Sequence, residues 1–579
     1  MCRSRSADWS GLSYASVVGC TASEPVRSAD STGVQAGGAL RCGTAPRAGF
    51  LPRQATMTTR HLLTLTGAIL SLLLCTSDSA SARQRTTGVS VATGQSRQIV
   101  GGAGPWTVAR RLLGRSLTGP GLPGNADATL LSNNAFAIIS STAAPASSES
   151  GTPLAVPSAG GTAYNLKLVI PSTGLEELFS LHVPALPPGV VRPMVVGFHS
   201  FRRTHLEVSL GTDLMTEAAA RGWFFLAPVQ RSAVGDPLIN YGSVQSQEHV
   251  EVLMRWVMDI YAVDPDRVYG VGHSMGGGSA MSYAARHRDL EAGAFAAVAN
   301  HTGTVGVSNV WDVEPVVRPD LELLFGGTPT QEPFEYQRSS TVELDQSGAL
   351  IPGGRHMATN LSFVDTRTYY ATNDSLTYLV TQSQSLTAFM QSLPFAMYQE
   401  VPVVAPPDCL NLPPGLPDGH CWESVDTVAL YDWFQTKSLV ANPPFGSCLA
   451  DRSGEWHGFD LVQERSGEFS SFDFVVDPAQ DLIEITSLEN VRSVTFDLST
   501  KGLSPANKFE VELSSADGTG HIVSILGLSA RPTQVTRGGL GALERCASNP
   551  FPTWCYDDAT GVLTLFEPTG TPGDWEITL

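Results

Sequence analysis

The segment that most restricts the fold is Gly272-His273-Ser274-Met275-Gly276, because of what stands on either side of it. RVYGVG (267–272) is an apolar run that reads as a buried strand, and GGGSAMSYAARH (276–287) reads as a helix. A strand that becomes a helix within five residues, with glycines bracketing a serine, is the layout of a nucleophile elbow. Such a turn forces Ser274 out of the strand. Gly272 and Gly276 keep Cβ atoms out of space that neighbouring backbone must occupy. The start of the helix then leaves N–H groups unpaired where negative charge would develop.

The surrounding residues extend this unit into an alternating pattern. YNLKLVIP (164–171) and LFSLHVPAL (178–186) read as strands, and RPMVVGFHS (192–200) as a buried central strand opening onto polar residues. A helix over 213–222 leads to the strand WFFLAPVQ (223–230). The stretch 246–262 places Val250, Leu253, Met254, Val257 and Ile260 on one helical face. DPDR (264–267) reads as a turn before the elbow strand, and a further strand falls within 293–303. After a long connection (304–363), which is either a cap or minor structure at the sheet edge, come a strand at 367–374, a helix at 376–393, a strand at 395–402 and a closing helix at 427–437. Strand and helix in alternation predict an α/β class with a mostly parallel sheet covered on both faces.

A serine hydroxyl needs a base, and His420, in DGHCWES between the last strand and last helix, is the best placed of the 12 histidines. The third partner is a carboxylate that accepts the other imidazole N–H. Asp374 follows the strand RTYYATN on the edge from which Ser274 emerges, whereas Asp365 lies at the opposite end. Asp408, Asp418 and Glu423 are the remaining rivals. The order Ser274, Asp374, His420 is the one this architecture uses. For an oxyanion, Met275 offers one backbone N–H and the loop after RPMVVGFHS the other, with Phe201 the first choice and Ser200 the alternative. Phe201, Trp422 and Trp311 are candidates to touch substrate, Trp422 equally well by packing over the Cys loop, while Trp223 reads as core. His199, His273 and His301 invite a metal reading, but neither an HExxH pattern nor paired cysteines at zinc spacing accompany them, so no metal or cofactor is expected.

DPDRVYGVGHSMGG (264–277), GFHSF (197–201), ATND (371–374) and GHCW (419–422) together resemble the α/β-hydrolase superfamily. The nearest branch in kind is that of secreted esterases such as polyhydroxybutyrate depolymerases and feruloyl esterases, with some likeness to prolyl-oligopeptidase catalytic domains. The resemblance spans about 160–440 and implies acyl-enzyme chemistry with Ser274, Asp374 and His420 as the triad. His199-Ser200 stands where the family usually has His-Gly, which leaves the second oxyanion donor open.

Outside that region the chain reads in layers. Residues 1–56 lack usable periodicity and look like a non-structural leader. Residues 57–82 carry Arg60 and His61 before LLTLTGAILSLLLC and then Ala80-Ser81-Ala82, the pattern of a secretory signal. Residues 83–160 form an extension with one apolar patch, NAFAIISS (134–141). Residues 161–440 are the catalytic region, and after 440 short strands separated by Gly, Asp, Asn and Pro turns predict an all-β, sandwich-like C-terminal domain (441–579). Removing 1–82 takes away 7 Arg and 4 acidic residues, so the formal charge moves from −19 to about −22. That charge disfavours nucleic acid and anionic membranes as partners and is compatible with neutral substrates. Five cysteines would then remain. Proximity pairs Cys409 with Cys421 and Cys546 with Cys555, leaving Cys448, which could displace a member of the first pair.

The functional expectation is therefore an exported ester hydrolase, extracellular or periplasmic, acting on soluble, plant-wall or polymeric esters. A serine peptidase and a non-catalytic binding module are the rivals. Oligomeric state is not legible.

Overall fold

The computed structural model describes residues 138–143, 161–290, 293–410, 417–546 and 552–579. The readings made above for residues 1–82 and for most of 83–160 lie outside these residues.

Nine strands form the principal sheet: β1 (Ile138–Ala143), β2 (Gly161–Val169), β3 (Glu176–Pro184), β4 (Arg192–Phe198), β5 (Phe224–Pro228), β6 (Val263–His273), β7 (Ala297–His301), β8 (Asp365–Ala371) and β9 (Tyr398–Val403). Their order is β1-β2-β3-β5-β4-β6-β7-β8-β9. The strands β5-β4-β6-β7-β8-β9 run parallel, and β1, β2 and β3 add antiparallel pairs at one edge. This is the α/β-hydrolase fold, with a distinct β-rich C-terminal region following it.

The helices are α1 (His205–Leu210), α2 (Leu214–Ala220), α3 (Val244–Ile260), α4 (Met275–Arg286), α5 (Val307–Val313), α6 (Arg318–Phe325), α7 (Pro333–Ser339), α8 (Thr377–Ser392) and α9 (Thr427–Gln435). Alternate side chains of the central strands go to opposite cores. Met194, Val196, Phe224, Leu226 and Val298 pack beneath α3, α4 and α8. Val195, Phe225, Tyr269, Val271 and Ala299 pack beneath α1, α2 and α9. Burial on both faces explains why these strands read as continuous apolar runs.

Three local readings change. DPDR falls within β6, which pairs with β4 at Arg192–Val263 and again from Met194–Val268 across a break in register. The Asp264–Arg267 ion pair at 2.7 Å preserves a turn-like bond there. The helix expected over 213–222 is shorter, and a second helix, α1, precedes it. The connection 304–363 carries three helices, α5 to α7, whose apolar side chains join Met275, Ile239 and Tyr241 in one cluster against the start of α4.

The chain leaves β4 for β5 and returns past β4 to β6. The loops after β4 and β6 therefore diverge to opposite faces and open a crevice at the C-terminal ends of two neighbouring strands, where ligands bind in open α/β sheets. Phe201 and Ser274 both lie on that edge.

The C-terminal region holds a seven-stranded and a six-stranded sheet. Its first strand, β10 (Phe445–Ala450), is linked to the end of α4 through Asn360. Asn360 Nδ2 donates to the carbonyls of Ala285 (3.0 Å) and Leu449 (2.8 Å), and its Oδ1 accepts from Leu449 N at 2.8 Å. Arg286 Nε donates to Asp451 Oδ2 at 2.8 Å, both side chains being buried. The helix that begins at Met275 is thus fixed at its far end by the β-rich region.

Both expected disulfides are present, Cys409–Cys421 and Cys546–Cys555, and Cys448 is free and buried.

Candidate active site

Ser274 sits between β6 and α4 with φ 58° and ψ −126°, a conformation costly for a residue with a Cβ. Four backbone bonds hold it there: its N–H donates to His301 O at 2.9 Å, and its carbonyl accepts from Gly277, Gly278 and Thr304. The bracketing glycines are needed for space. A Cβ on Gly272 would collide with the Gly276 carbonyl, and one on Gly276 with the carbonyls of Phe198 and His199. The same crowding shows how tightly the loop after β4 is drawn against the elbow.

His420 lies after Gly419, whose φ of +75° and close approach to the Asn373 carbonyl require glycine. Gly419 N–H donates to Cys409 O at 2.7 Å, and the Cys409–Cys421 bridge closes beside the imidazole. His420 Nδ1 is 2.7 Å from Asp374 Oδ2. Asp374 Oδ1 accepts from Leu376 N at 2.8 Å, so both carboxylate oxygens are occupied and the group is fixed. An ionised carboxylate can only accept, which makes Nδ1 the protonated nitrogen and leaves Nε2 with its lone pair. His420 Nε2 is buried and has no hydrogen-bond partner among the described residues.

The rival acids are engaged elsewhere. Asp365 pairs with Lys437 at 2.6 Å at the opposite strand end, Asp408 is exposed, Asp418 accepts from Ser375 N through its carbonyl, and Glu423 stands 3.7 Å from Cys409 Sγ.

Two further histidines stack behind the first. The His273 ring centroid lies 4.4 Å from that of His420 and 4.6 Å from that of His301. Burial, followed by the neighbouring histidines, holds His273 well below the ordinary imidazole range; burial and then His420 push His301 down to about 3. Both are neutral near pH 7, so neither opposes a positive charge on His420.

The loop after β4 is held by polar contacts that the sequence did not reveal. Ser200 N–H donates to Glu207 Oε2 at 2.7 Å, and Ser200 Oγ is 2.9 Å from His273 Nδ1. His199 Nδ1 and Nε2 lie 2.8 and 2.5 Å from the carbonyls of Ser200 and Val229. Burial raises the Glu207 carboxyl above its ordinary range, with the bond from Ser200 opposing that rise. Ser200's N–H is therefore already used, which favours Phe201 over Ser200 as a free donor. Among the described residues, the amides of Phe201 and Met275 have no acceptor.

The remaining candidates fall at different distances from this centre. The Phe201 ring is 6.0 Å from Tyr241 and shares a cluster with Met275. Trp311 lies in α5, with its Nε1 donating to Glu322 at 2.9 Å and Arg318 4.7 Å over its ring. Trp422 contacts the rings of His273 (5.3 Å) and His301 (6.1 Å), and Trp223 is buried against Tyr269 and Tyr431. Tyr378 was not singled out by sequence; it stands on α8 four residues after Asp374, and burial, followed by the charges of Glu314 and Asp374, pushes its hydroxyl above the ordinary tyrosine range. Among the described residues, the group with metal-ligand proximity is Cys409, Cys421 and Glu423, whose sulfurs are joined in a disulfide. No described helix is long and apolar enough to cross a membrane.

No protein-family model matches the chain, and no curated protein matches it. Solved structures similar to it include an S-formylglutathione hydrolase from Agrobacterium tumefaciens, at 15% identity over 51% of this chain and 98% of that one (TM-score 0.37). A ferulic acid esterase is 16% identical over 47% and 96% (TM-score 0.33). A fluorophosphonate-binding serine hydrolase from Staphylococcus aureus is 13% identical over 42% and 91% (TM-score 0.32).

Proposed function

We propose that this chain is a serine hydrolase that cleaves carboxylic esters, with Ser274 as nucleophile, His420 as general base and Asp374 as the group that orients and stabilises the base. The observation that carries the reading is the buried His420–Asp374 bond, with its unpartnered Nε2, combined with a serine held in a strained strand-to-helix turn. Ser274 Oγ attacks the ester carbonyl as His420 Nε2 takes its proton. The oxyanion is held by the N–H groups of Met275 and Phe201. His420 then returns the proton to the departing alcohol, and water, activated by the same base, releases the acid.

The neutral state of His273 and His301 supports this assignment, because a charged neighbour would make imidazolium formation harder. Phe201, Tyr241 and the α5–α7 insertion border the elbow through one aromatic and aliphatic cluster, which suits an uncharged acyl group. Two disulfides favour an oxidising compartment and hence export. Export and the acidic surface make extracellular esters, including aliphatic and aromatic polyesters, the substrates to test first.

Wild type and Ser274→Ala are to be compared on short-chain p-nitrophenyl esters, on polyhydroxybutyrate and aromatic polyester films, and on peptide amides. Ester turnover in the wild type, absent from a folded Ser274→Ala protein, is the expected result. Full activity in Ser274→Ala would overturn the mechanism, and turnover of amides alone would replace the esterase by a peptidase.

A further inference from the structure

Strand alternation puts the side chain of His273, the last residue of β6, on the same face as Val271, the face covered by α1, α2 and α9. The neighbouring strand β7 runs in register beside it, with His301 opposite His273 and the two ring centroids 4.6 Å apart. The loop that bears the base packs against this pair, placing the rings of His420 and Trp422 4.4 and 5.3 Å from that of His273. His273 is thus buried among three aromatic side chains.

Its polar edge faces elsewhere. His273 Nδ1 lies 2.9 Å from Ser200 Oγ, and Ser200 directly precedes Phe201, whose N–H is the second oxyanion donor proposed above. Every polar group of Ser200 is engaged. Its N–H donates to Glu207 Oε2 at 2.7 Å, and its carbonyl accepts from Arg203 N at 3.1 Å and lies 2.8 Å from His199 Nδ1. His199, Arg203 and Glu207 all belong to the segment that runs from β4 into α1, so their bonds set the shape of that segment. Among these partners His273 alone belongs to the strand that carries the nucleophile, so its bond sets where the segment stands relative to Ser274. A misplacement of about 1 Å is enough to cost about 10²-fold in rate.

We propose that His273 is a positioning residue that aligns both halves of the site: through Ser200 Oγ it sets the Phe201 N–H relative to Ser274, and its ring supports the imidazole of His420. The inference rests on the esterase reading and adds to it a residue outside the triad and the oxyanion donors.

The test is a double-variant cycle in the full-length protein. His273→Phe keeps a ring against His420 and Trp422 but removes the nitrogen. Ser200→Ala removes the same bond from its other end and leaves the backbone bond to Glu207 in place. Each is expected to lower kcat on a p-nitrophenyl ester by about 10²-fold with KM little changed, as for a displaced oxyanion donor. Both remove one and the same bond, so the double variant should be no slower than the slower single variant. Wild-type kcat in Ser200→Ala, a loss carried by KM, or losses that multiply in the double variant would each overturn the proposal. Ser200→Ala decides the matter alone if His273→Phe does not fold. The esterase reading is tested on the wild type: absence there of both ester turnover and phosphonate labelling removes that reading and this inference with it. An active wild type with undiminished variants removes this inference only.

Discussion

His420 Nδ1 and Asp374 Oδ2 are joined by a 2.7 Å hydrogen bond in which the Asp374 side chain is fully enclosed and the imidazole nearly so. The bond fixes which nitrogen of His420 is free, so its removal should act on the chemistry more than on the fold. Asp374→Asn keeps the shape but allows the amide to donate to Nδ1, which stabilises the wrong tautomer. A fall in kcat of about 10⁴-fold with little change in KM is expected. Steady-state kinetics beside a circular dichroism spectrum check it, and a loss under tenfold would remove Asp374 from the triad.

Glu207 accepts the Ser200 N–H and so holds the loop that presents Phe201. Glu207→Ala frees that N–H and lets the loop drift from the elbow, while Glu207→Gln retains an acceptor oxygen. If one oxyanion donor is displaced, kcat should fall by about 10²-fold in the alanine variant, with most of the rate kept by glutamine. Equal losses in both variants, or a loss carried wholly by KM, would argue against a positioning role.

The parts of this molecule that were legible in its sequence are those where physical demands coincide in a short stretch. Strands buried on both faces are apolar along their length, so β4 and the Val268–Val271 part of β6 stood out. Asp374 was separable from Asp365 because strand direction alone puts them at opposite ends of β8. Helix α1 was missed because six residues span under two turns, too few for a period to show. Glu207 was invisible for a related reason: its role comes from a bond to Ser200 across a turn, and no spacing rule demands it. The strand β10 escaped notice because its partner, Ser470–Asp477, is distant in sequence, and Gly454–Trp456 and Phe459–Gln463, which pair with each other, because three and five residues are too few for alternation to show. The stacking of His273 and His301 behind His420 arises from adjacent parallel strands and a loop, a juxtaposition that only the folded sheet creates.

Lys501 in the β-rich region is buried, donates to the His457 carbonyl at 2.6 Å and has its Nζ 3.5 Å from the Phe459 ring centroid. Burial lowers its pKa from 10.5 to about 7, with Glu455 opposing the shift. The unfolded chain therefore holds this proton more tightly than the folded one. Stability contributed by Lys501 is lowest below pH 7 and rises as pH increases from about 7 towards 10.5. The full change is of order 5 kcal/mol. Lys501→Met should flatten the stability profile between pH 7 and 10 relative to wild type, as read from urea unfolding midpoints. Parallel profiles for the two proteins would show that the amine remains charged in the fold.

Arg286 and Asp451 tie the far end of α4 to the β-rich region through a buried pair, which Arg338 approaches at 3.6 Å from the carboxylate. Burial raises the Asp451 pKa, but Arg286, Arg452 and Arg338 outweigh it and hold the carboxyl below its ordinary range. Asp451→Ala leaves the Arg286 guanidinium enclosed without its counter-charge, so a loss of about 3–5 kcal/mol is expected. Replacing both partners, as Arg286→Met with Asp451→Leu, removes the stranded charge and should recover most of that loss. The contrast between single and double variants separates electrostatic from packing contributions, since a packing defect would worsen in the double variant. Because α4 begins at Met275, the single variant should also slow phosphonate labelling of Ser274 at temperatures where the protein is still folded. If labelling keeps its wild-type rate while the unfolding midpoint falls, the pair stabilises the β-rich region without supporting the elbow.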